Sequence, residues 1–289
     1  MIFDLVLRFR HSVLVALFVG SFVPAAQGVE CHPIQNTDLQ GEVCIQKADR
    51  SRNPDVLYFF HGVDRNARDW FERGDFLRIQ ESWSHVGKGN PTVISVSFGP
   101  RFILKTEPHN GKGMHEIFVR QIMPDVENEI GGLGGGRRLL LGESMGGLNA
   151  SILFIREQKL FNRAAFLCAA LTKVSPFASS FDIFRYVTRT GANGPMVWYF
   201  MGVARDMIGR PQDWSPNDPL DMATHMVGPE TPPVYLSSSE SDDFGFFEGG
   251  QHLANLMKEK GVNTQWVPRQ GEHCANHDGD SLIKFFAEP

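Results

Sequence analysis

The stretch Leu139–Ser151, "LLLGESMGGLNAS", decides the reading of this chain. An apolar run ends in a serine boxed by glycines, Gly142-Glu143-Ser144-Met145-Gly146, and a helix-forming pattern follows at once. Gly-x-Ser-x-Gly occurs by chance in many proteins, and its bland reading is a small-residue turn. The pentapeptide becomes informative only in a strand–turn–helix setting, where the turn lifts the serine hydroxyl above the carboxyl end of a buried strand. Gly142 and Gly146 let the backbone turn without a Cβ clash, and Gly147 lets the helix lie close to the strand.

The surrounding chain supplies that setting. "DVLYFFHG" from Asp55, "PTVISVSFG" from Pro91, "RRLLLGES" from Arg137, "RAAFLCAA" from Arg163 and "PPVYLSSSES" from Pro232 are short apolar runs rich in β-formers. They read as buried strands. "NTQWVPRQG", Asn263–Gly271, is more polar and reads as a sheet edge. An early hairpin is expected between Cys31 and Ala48, with Gly41 near its turn. Helical patterns alternate with these runs. Phe118, Ile122, Val126 and Ile130 recur every four residues before Gly131 stops them, and Pro124 predicts a kink or a late start. Leu253, Leu256 and Met257 share a face, and "DGDSLIKFFAEP" from Asp278 closes the chain as a helix. Continuous apolar strands alternating with amphipathic helices predict an α/β fold with a mostly parallel central sheet, helices on both faces.

The segment Leu171–Pro233 breaks the rhythm. It separates the sixth and seventh strands, counting the hairpin, and carries Phe177, Phe181, Phe184, Tyr186, Trp198, Tyr199, Phe200 and Trp214. A long insertion of this kind reads as a lid or substrate-binding element, against the plainer reading of a flap that completes the fold.

A serine hydroxyl is a weak nucleophile without a base to take its proton. An elbow of this type calls for an acid after a later strand and a histidine near the end of the chain. Asp242 and Asp243 follow "YLSSSES", and His273 lies in "QGEHCANHDG" after the last strand. The expected order is Ser144, then Asp242, then His273, with Asp243 and His277 as rivals. The oxyanion needs preorganised N–H donors. Met145, next after the serine, offers one; the loop opened by His61-Gly62 offers the other from Val63 or Asp64, with Gly62 giving room to turn.

Composition bounds the alternatives. The 289 residues allow one large domain, and a net charge of −5 argues against a nucleic-acid surface. No His-Glu-x-x-His pattern or other ligand cluster calls for a metal, and no cofactor motif is found; Gly131–Gly136 precedes a strand and opens no helix, so it does not read as a phosphate loop. The N-terminus runs from a charged stretch (Arg8, Arg10, His11; Asp4 is atypical) through an apolar one to small residues. That is the order of a secretory signal, with cleavage near Gly28 and a mature domain over 29–289; the rival is an uncleaved anchor. Cys31, Cys44, Cys168 and Cys274 are an even set, which suits disulfides in an exported chain. Cys31 with Cys44 is the preferred pair and Cys168 with Cys274 then follows, against free thiols.

"FFHG", "IMPDVENE" ahead of "LLLGESMGG", then "SESDDF" and "GEH" resemble the esterase D-type branch of the α/β-hydrolases, over about Pro54 to Pro289. That branch includes S-formylglutathione hydrolases, feruloyl and acetyl-xylan esterases, polyhydroxyalkanoate depolymerase-like proteins and mycolyltransferases. The resemblance implies the α/β-hydrolase fold and serine-esterase chemistry. It also implies that the acid stands two residues before a phenylalanine, which selects Asp242 before Phe244. The expected function is a secreted serine esterase acting on a small or polymeric ester. The rivals are an acyltransferase with the same triad and a binding protein that keeps only the fold.

Overall fold

The computed structural model describes residues 28–34, 41–48, 54–86, 89–106 and 113–289. The signal-like segment before Gly28, and the expected turn of the early hairpin over 35–40, lie outside the described residues.

The strands are β1 (Val29–Pro33), β2 (Glu42–Gln46), β3 (Val56–Phe60), β4 (Thr92–Ser97), β5 (Arg138–Glu143), β6 (Arg163–Leu167), β7 (Val234–Ser239) and β8 (Thr264–Arg269). The helices are α1 (Asp69–Glu72), α2 (Gly74–His85), α3 (Met114–Ile117), α4 (Met123–Glu129), α5 (Met145–Arg156), α6 (Ser180–Thr190), α7 (Gly194–Ile208), α8 (Pro219–Met226), α9 (Phe246–Glu259) and α10 (Gly279–Ala287). The strands form one sheet in the order β1-β2-β4-β3-β5-β6-β7-β8. β1 and β2 pair antiparallel, β2 meets β4 antiparallel, and every pair from β4 to β8 is parallel. This is the α/β-hydrolase architecture. β8 forms one edge and is only partly buried, and Pro268 sits where an edge tolerates a missing N–H.

The apolar runs are continuous because both faces of the sheet are covered. Side chains alternate between two cores with period two. Val56, Tyr58 and Phe60 of β3, Leu140 of β5 and Phe166 of β6 face one core, packed by α4, α5, α8 and α9. Leu57, Phe59, Leu139, Leu141 and Ala165 face the other, packed by α1, α2 and α10. A one-residue slip in β5 would exchange its whole set between layers.

Pro124 meets the expected late start in part: α4 begins at Met123, yet the chain is already helical before it. The helical path runs from α3 into α4 through a π turn at Phe118–Ile122, and Pro124 stands in the first turn of α4. A proline cannot donate to the carbonyl one turn back and crowds it, and a widened turn absorbs both problems without a break.

Between β6 and β7 the chain forms α6, α7 and α8 with short 3-10 turns between α7 and α8. α6 and α7 bury Ile183, Tyr186, Val197 and Met201 against each other in a small core of their own.

The parallel part of the sheet begins with β3, moves outward to β4, then returns past β3 to β5. The carboxyl ends of β3 and β5 therefore adjoin at the point where the winding reverses, where open α/β sheets form their ligand crevice. Two disulfides close the framework. Cys31–Cys44 staples β1 to β2 at a directly opposed pair, and Cys168–Cys274 ties the end of β6 to the loop after β8.

Candidate active site

Ser144 stands between β5 and α5 with φ 55° and ψ −118°. A non-glycine residue holds such a backbone only when its surroundings over-determine it. Here they do: the Ser144 N–H donates to Leu167 O at 2.9 Å, and Ser144 O accepts from Ala170 N at 2.9 Å and Leu148 N at 3.0 Å. The glycines are sterically required. A Cβ on Gly142 would lie 2.1 Å from Gly146 O, and one on Gly146 would lie 2.0 Å from Phe60 O.

The Ser144 hydroxyl lies 2.8 Å from His273 Nε2, and His273 Nδ1 lies 2.6 Å from Asp242 Oδ2. The other oxygen of Asp242 accepts the Phe244 N–H at 2.8 Å, and the residue is buried. Phe244 and Phe246 press their rings against the imidazole at 4.8 and 5.5 Å. The rivals are placed elsewhere. His277 Nε2 lies 2.9 Å from Glu143 Oε1, and the Asp243 carbonyl accepts the N–H of Asn193, just before α7.

The loop after β3 carries the oxyanion candidates. The Asp64 N–H donates to Pro100 O at 2.7 Å, so of the two residues named from sequence Val63 remains, and Val63 lines the pocket beside Ser144 and Met145. Gly62 has neither a positive φ nor a clash; a Cβ there would lie 3.5 Å from Ser144 Cβ, so its role is to leave the space above the serine open. Met145 begins α5, where the first N–H groups have no intrahelical acceptor.

A relay that sequence reasoning missed orients the Gly62–Val63 peptide. His61 is fully buried; its Nδ1 lies 2.7 Å from Gly62 O and its Nε2 2.8 Å from Ser97 Oγ. A carbonyl only accepts, so Nδ1 carries the proton. Burial pushes the His61 pKa down to about 4, which leaves Nε2 as an acceptor for the Ser97 hydroxyl. Ser97 Oγ in turn accepts Gly99 N–H at 3.1 Å. In a trans peptide N–H and C=O point opposite ways, so holding Gly62 O aims the Val63 N–H. The only signal in the sequence was a histidine before the glycine.

A second missed feature lies beneath the serine. Glu143 is buried and takes paired hydrogen bonds from Arg73 at 2.6 and 2.7 Å together with the one to His277. Burial opposes its ionisation, but these donors prevail and hold its pKa down near 2. Arg73 also engages Asp69 at 3.1 Å and, more tightly, Asp75. An acid inside a buried strand end needs such partners, and that was the available clue.

The sulfurs of Cys168 and Cys274 approach His273 within ligand reach, but both are consumed in their disulfide.

The sequence matches the family described as "Putative esterase" over residues 37–284. The chain belongs to this esterase family. It is a carboxylic ester hydrolase of the serine-hydrolase type. No curated protein matches it. Among solved structures it is similar to a ferulic acid esterase, with TM-score 0.64 and 15% identity over 89% of this chain and 94% of that one. It is also similar to an esterase from Pseudomonas putida (TM-score 0.61, 18% identity, 89% and 80% covered). An esterase from Pyrobaculum calidifontis gives TM-score 0.60 at 14% identity, covering 90% and 83%. At these identities the likeness establishes the fold of this esterase and leaves its substrate open.

Proposed function

We propose that this esterase is exported and cleaves its ester through a triad of Ser144, His273 and Asp242 with an acyl-enzyme intermediate. The observation that carries the reading is the unbroken contact line from Ser144 Oγ to His273 Nε2 at 2.8 Å and from His273 Nδ1 to Asp242 Oδ2 at 2.6 Å, mounted on a strained elbow.

In this reading Ser144 Oγ attacks the ester carbonyl carbon while His273 Nε2 takes the hydroxyl proton. Asp242 keeps the Nδ1–H tautomer and steadies the imidazolium. The oxyanion is met by the backbone N–H groups of Met145 and Val63, which need no reorganisation as charge develops. The intermediate collapses, His273 protonates the departing alcohol, and the acyl group stays on Ser144. Water then enters by the same route in reverse, and the acid leaves.

Export is supported by the charged–apolar–small order before Gly28 and by the two disulfides. Among the described residues no helix is long and apolar enough to cross a membrane. On this view the mature domain is 29–289, and 171–233 is the substrate-binding insertion. A pre-steady-state burst of p-nitrophenol from p-nitrophenyl acetate, equal to the enzyme concentration, tests the acyl-enzyme. A methanolysis-to-hydrolysis product ratio that changes with the leaving group across acetate esters, showing that no common acyl intermediate is partitioned, would refute it.

A further inference from the structure

The Tyr199 hydroxyl of α7 donates to Asp64 Oδ2, and Arg101 Nε donates to Asp64 Oδ1 at 3.0 Å. The Arg101 guanidinium lies 5.5 Å from the Tyr199 ring centre, so the three side chains close a clasp at the protein surface. Asp64 is the residue next after Val63, and its φ is 57°, a left-handed backbone that residues with a side chain rarely hold. Its N–H is spent on Pro100 O at 2.7 Å. Pro100 and Arg101 belong to the loop after β4, and that loop is itself pinned to α5. The fully buried Asn149 accepts the Leu104 N–H at 2.7 Å and donates to Phe102 O at 3.1 Å, while the Phe102 N–H donates to Met145 Sδ at 3.4 Å. The loop that backs Asp64 is thus fixed to the helix that begins beside the serine.

We propose that Tyr199 is a positioning residue of this esterase: through Asp64 it sets the Val63 N–H that meets the oxyanion, so that α7 of the insertion takes part in forming the oxyanion hole. The proposal rests on the reading of Ser144 as the nucleophile and Val63 as the second donor. Val63 lies between two peptides. His61 holds the upstream one by Gly62 O, and Pro100 O holds the downstream one by the Asp64 N–H. Peptide planes are rigid, so two fixed neighbours leave Val63 little freedom in φ and ψ. The downstream hold depends on a residue in a disfavoured backbone, and the clasp from Tyr199 and Arg101 keeps Asp64 in it. An exposed ion pair adds little to overall stability. What it does here is place a donor, and a reacting group misplaced by about 1 Å loses far more in rate than the clasp contributes to folding.

The test uses Tyr199→Phe, Asp64→Gly, Asp64→Asn and the Tyr199→Phe/Asp64→Gly pair, each titrated with an alkyl fluorophosphonate so that rates refer to working sites. kcat/KM is measured on p-nitrophenyl acetate. Ki is measured for butyl trifluoromethyl ketone, whose hemiketal with a serine carries the oxyanion, and for the corresponding alcohol, which forms none. Tyr199→Phe and Asp64→Gly should each lower kcat/KM about tenfold and raise the ketone Ki by the same factor. The alcohol Ki should stay within about twofold, because the loss is confined to the transition state. Asparagine tolerates the left-handed backbone and still accepts from Tyr199, so Asp64→Asn should keep about a third or more of the wild-type rate. The pair should be no slower than Asp64→Gly, since both changes break one clasp. Tyr199→Phe or Asp64→Gly as fast as wild type would overturn the proposal. Ketone and alcohol Ki rising together would make Tyr199 a plain wall and overturn it too. Either result leaves Ser144 as the nucleophile. A wild type that the fluorophosphonate leaves untitrated at Ser144 would overturn the reading beneath, and the proposal with it.

Discussion

His277 Nε2 lies 2.9 Å from Glu143 Oε1, which joins the loop carrying His273 to the residue before the serine. In the proposed triad His273 is the base, and His277, held by Glu143, serves as a tether. His277→Ala should lower stability by about 1–3 kcal/mol, because Glu143 loses one buried donor. Its kcat should stay within about tenfold of wild type, a distortion rather than loss of the chemistry. His273→Ala should lose roughly a thousandfold or more. Equal losses from the two substitutions in a kcat comparison would contradict this division of labour.

The two neighbouring acids are separated by what they touch. Asp242 is buried against His273 and the Phe244 N–H, while Asp243 contributes a backbone carbonyl. Asp242→Asn keeps the shape but selects the wrong tautomer, so kcat should fall on the order of 10⁴-fold. Asp243→Asn should change it less than about threefold. Steady-state rates on a short p-nitrophenyl ester decide this, and greater damage at Asp243 would reassign the acid.

Stability should fall with acid in two successive windows that overlap slightly near pH 4. His61 has its pKa lowered from 6.5 to about 4, so its contribution is complete above about 6.5. Between those values the unfolded chain binds a proton that the folded chain refuses, and stability is lost as pH falls. Glu143, lowered from 4.5 to about 2, contributes above 4.5 and is lost below it. Urea titrations at pH 7 and 4.5 should show the advantage of wild type over His61→Gln shrinking by roughly 2 kcal/mol. A constant difference would mean that His61 is not held neutral by the fold.

The disulfides should differ in their reach. Cys168–Cys274 spans 106 residues and ends beside His273. Removing it with the Cys168→Ser/Cys274→Ser pair should cost about 2–5 kcal/mol and lower kcat as the histidine loop loosens. Cys31–Cys44 spans 13 residues at the sheet edge far along the strand order from Ser144, so its loss should cost about 3 kcal/mol or less and spare kcat. Thermal melts and rates of the two double variants check this; a kcat loss confined to the Cys31–Cys44 variant would contradict it.

Most of the frame was legible because burial leaves a mark on composition. β3, β5 and β6 read as unbroken apolar runs, since each face meets its own core, and the glycines around Ser144 follow from backbone contacts of about 2 Å. Asp242 and His273 could be named as candidates from their order, and the fold places them in line with Ser144. What stayed hidden depends on partners distant in sequence. Asp64 and Val63 could not be separated, because the acceptor of the Asp64 N–H is Pro100 from a different loop. The His61–Ser97 relay and the Arg73–Glu143–His277 cluster likewise join elements that only the folded sheet brings together. Pro124 was read as an interruption because its effect depends on whether the preceding turn can widen.

The central claim is that Ser144 is the nucleophile activated by His273. Its most direct measurement is peptide mass spectrometry of the protein after reaction with a fluorophosphonate probe. The account predicts one stoichiometric adduct on Ser144, formed far more slowly in His273→Ala and absent in Ser144→Ala. An unlabelled Ser144 in active wild-type enzyme, or an adduct on another residue that persists in Ser144→Ala with activity intact, would contradict it.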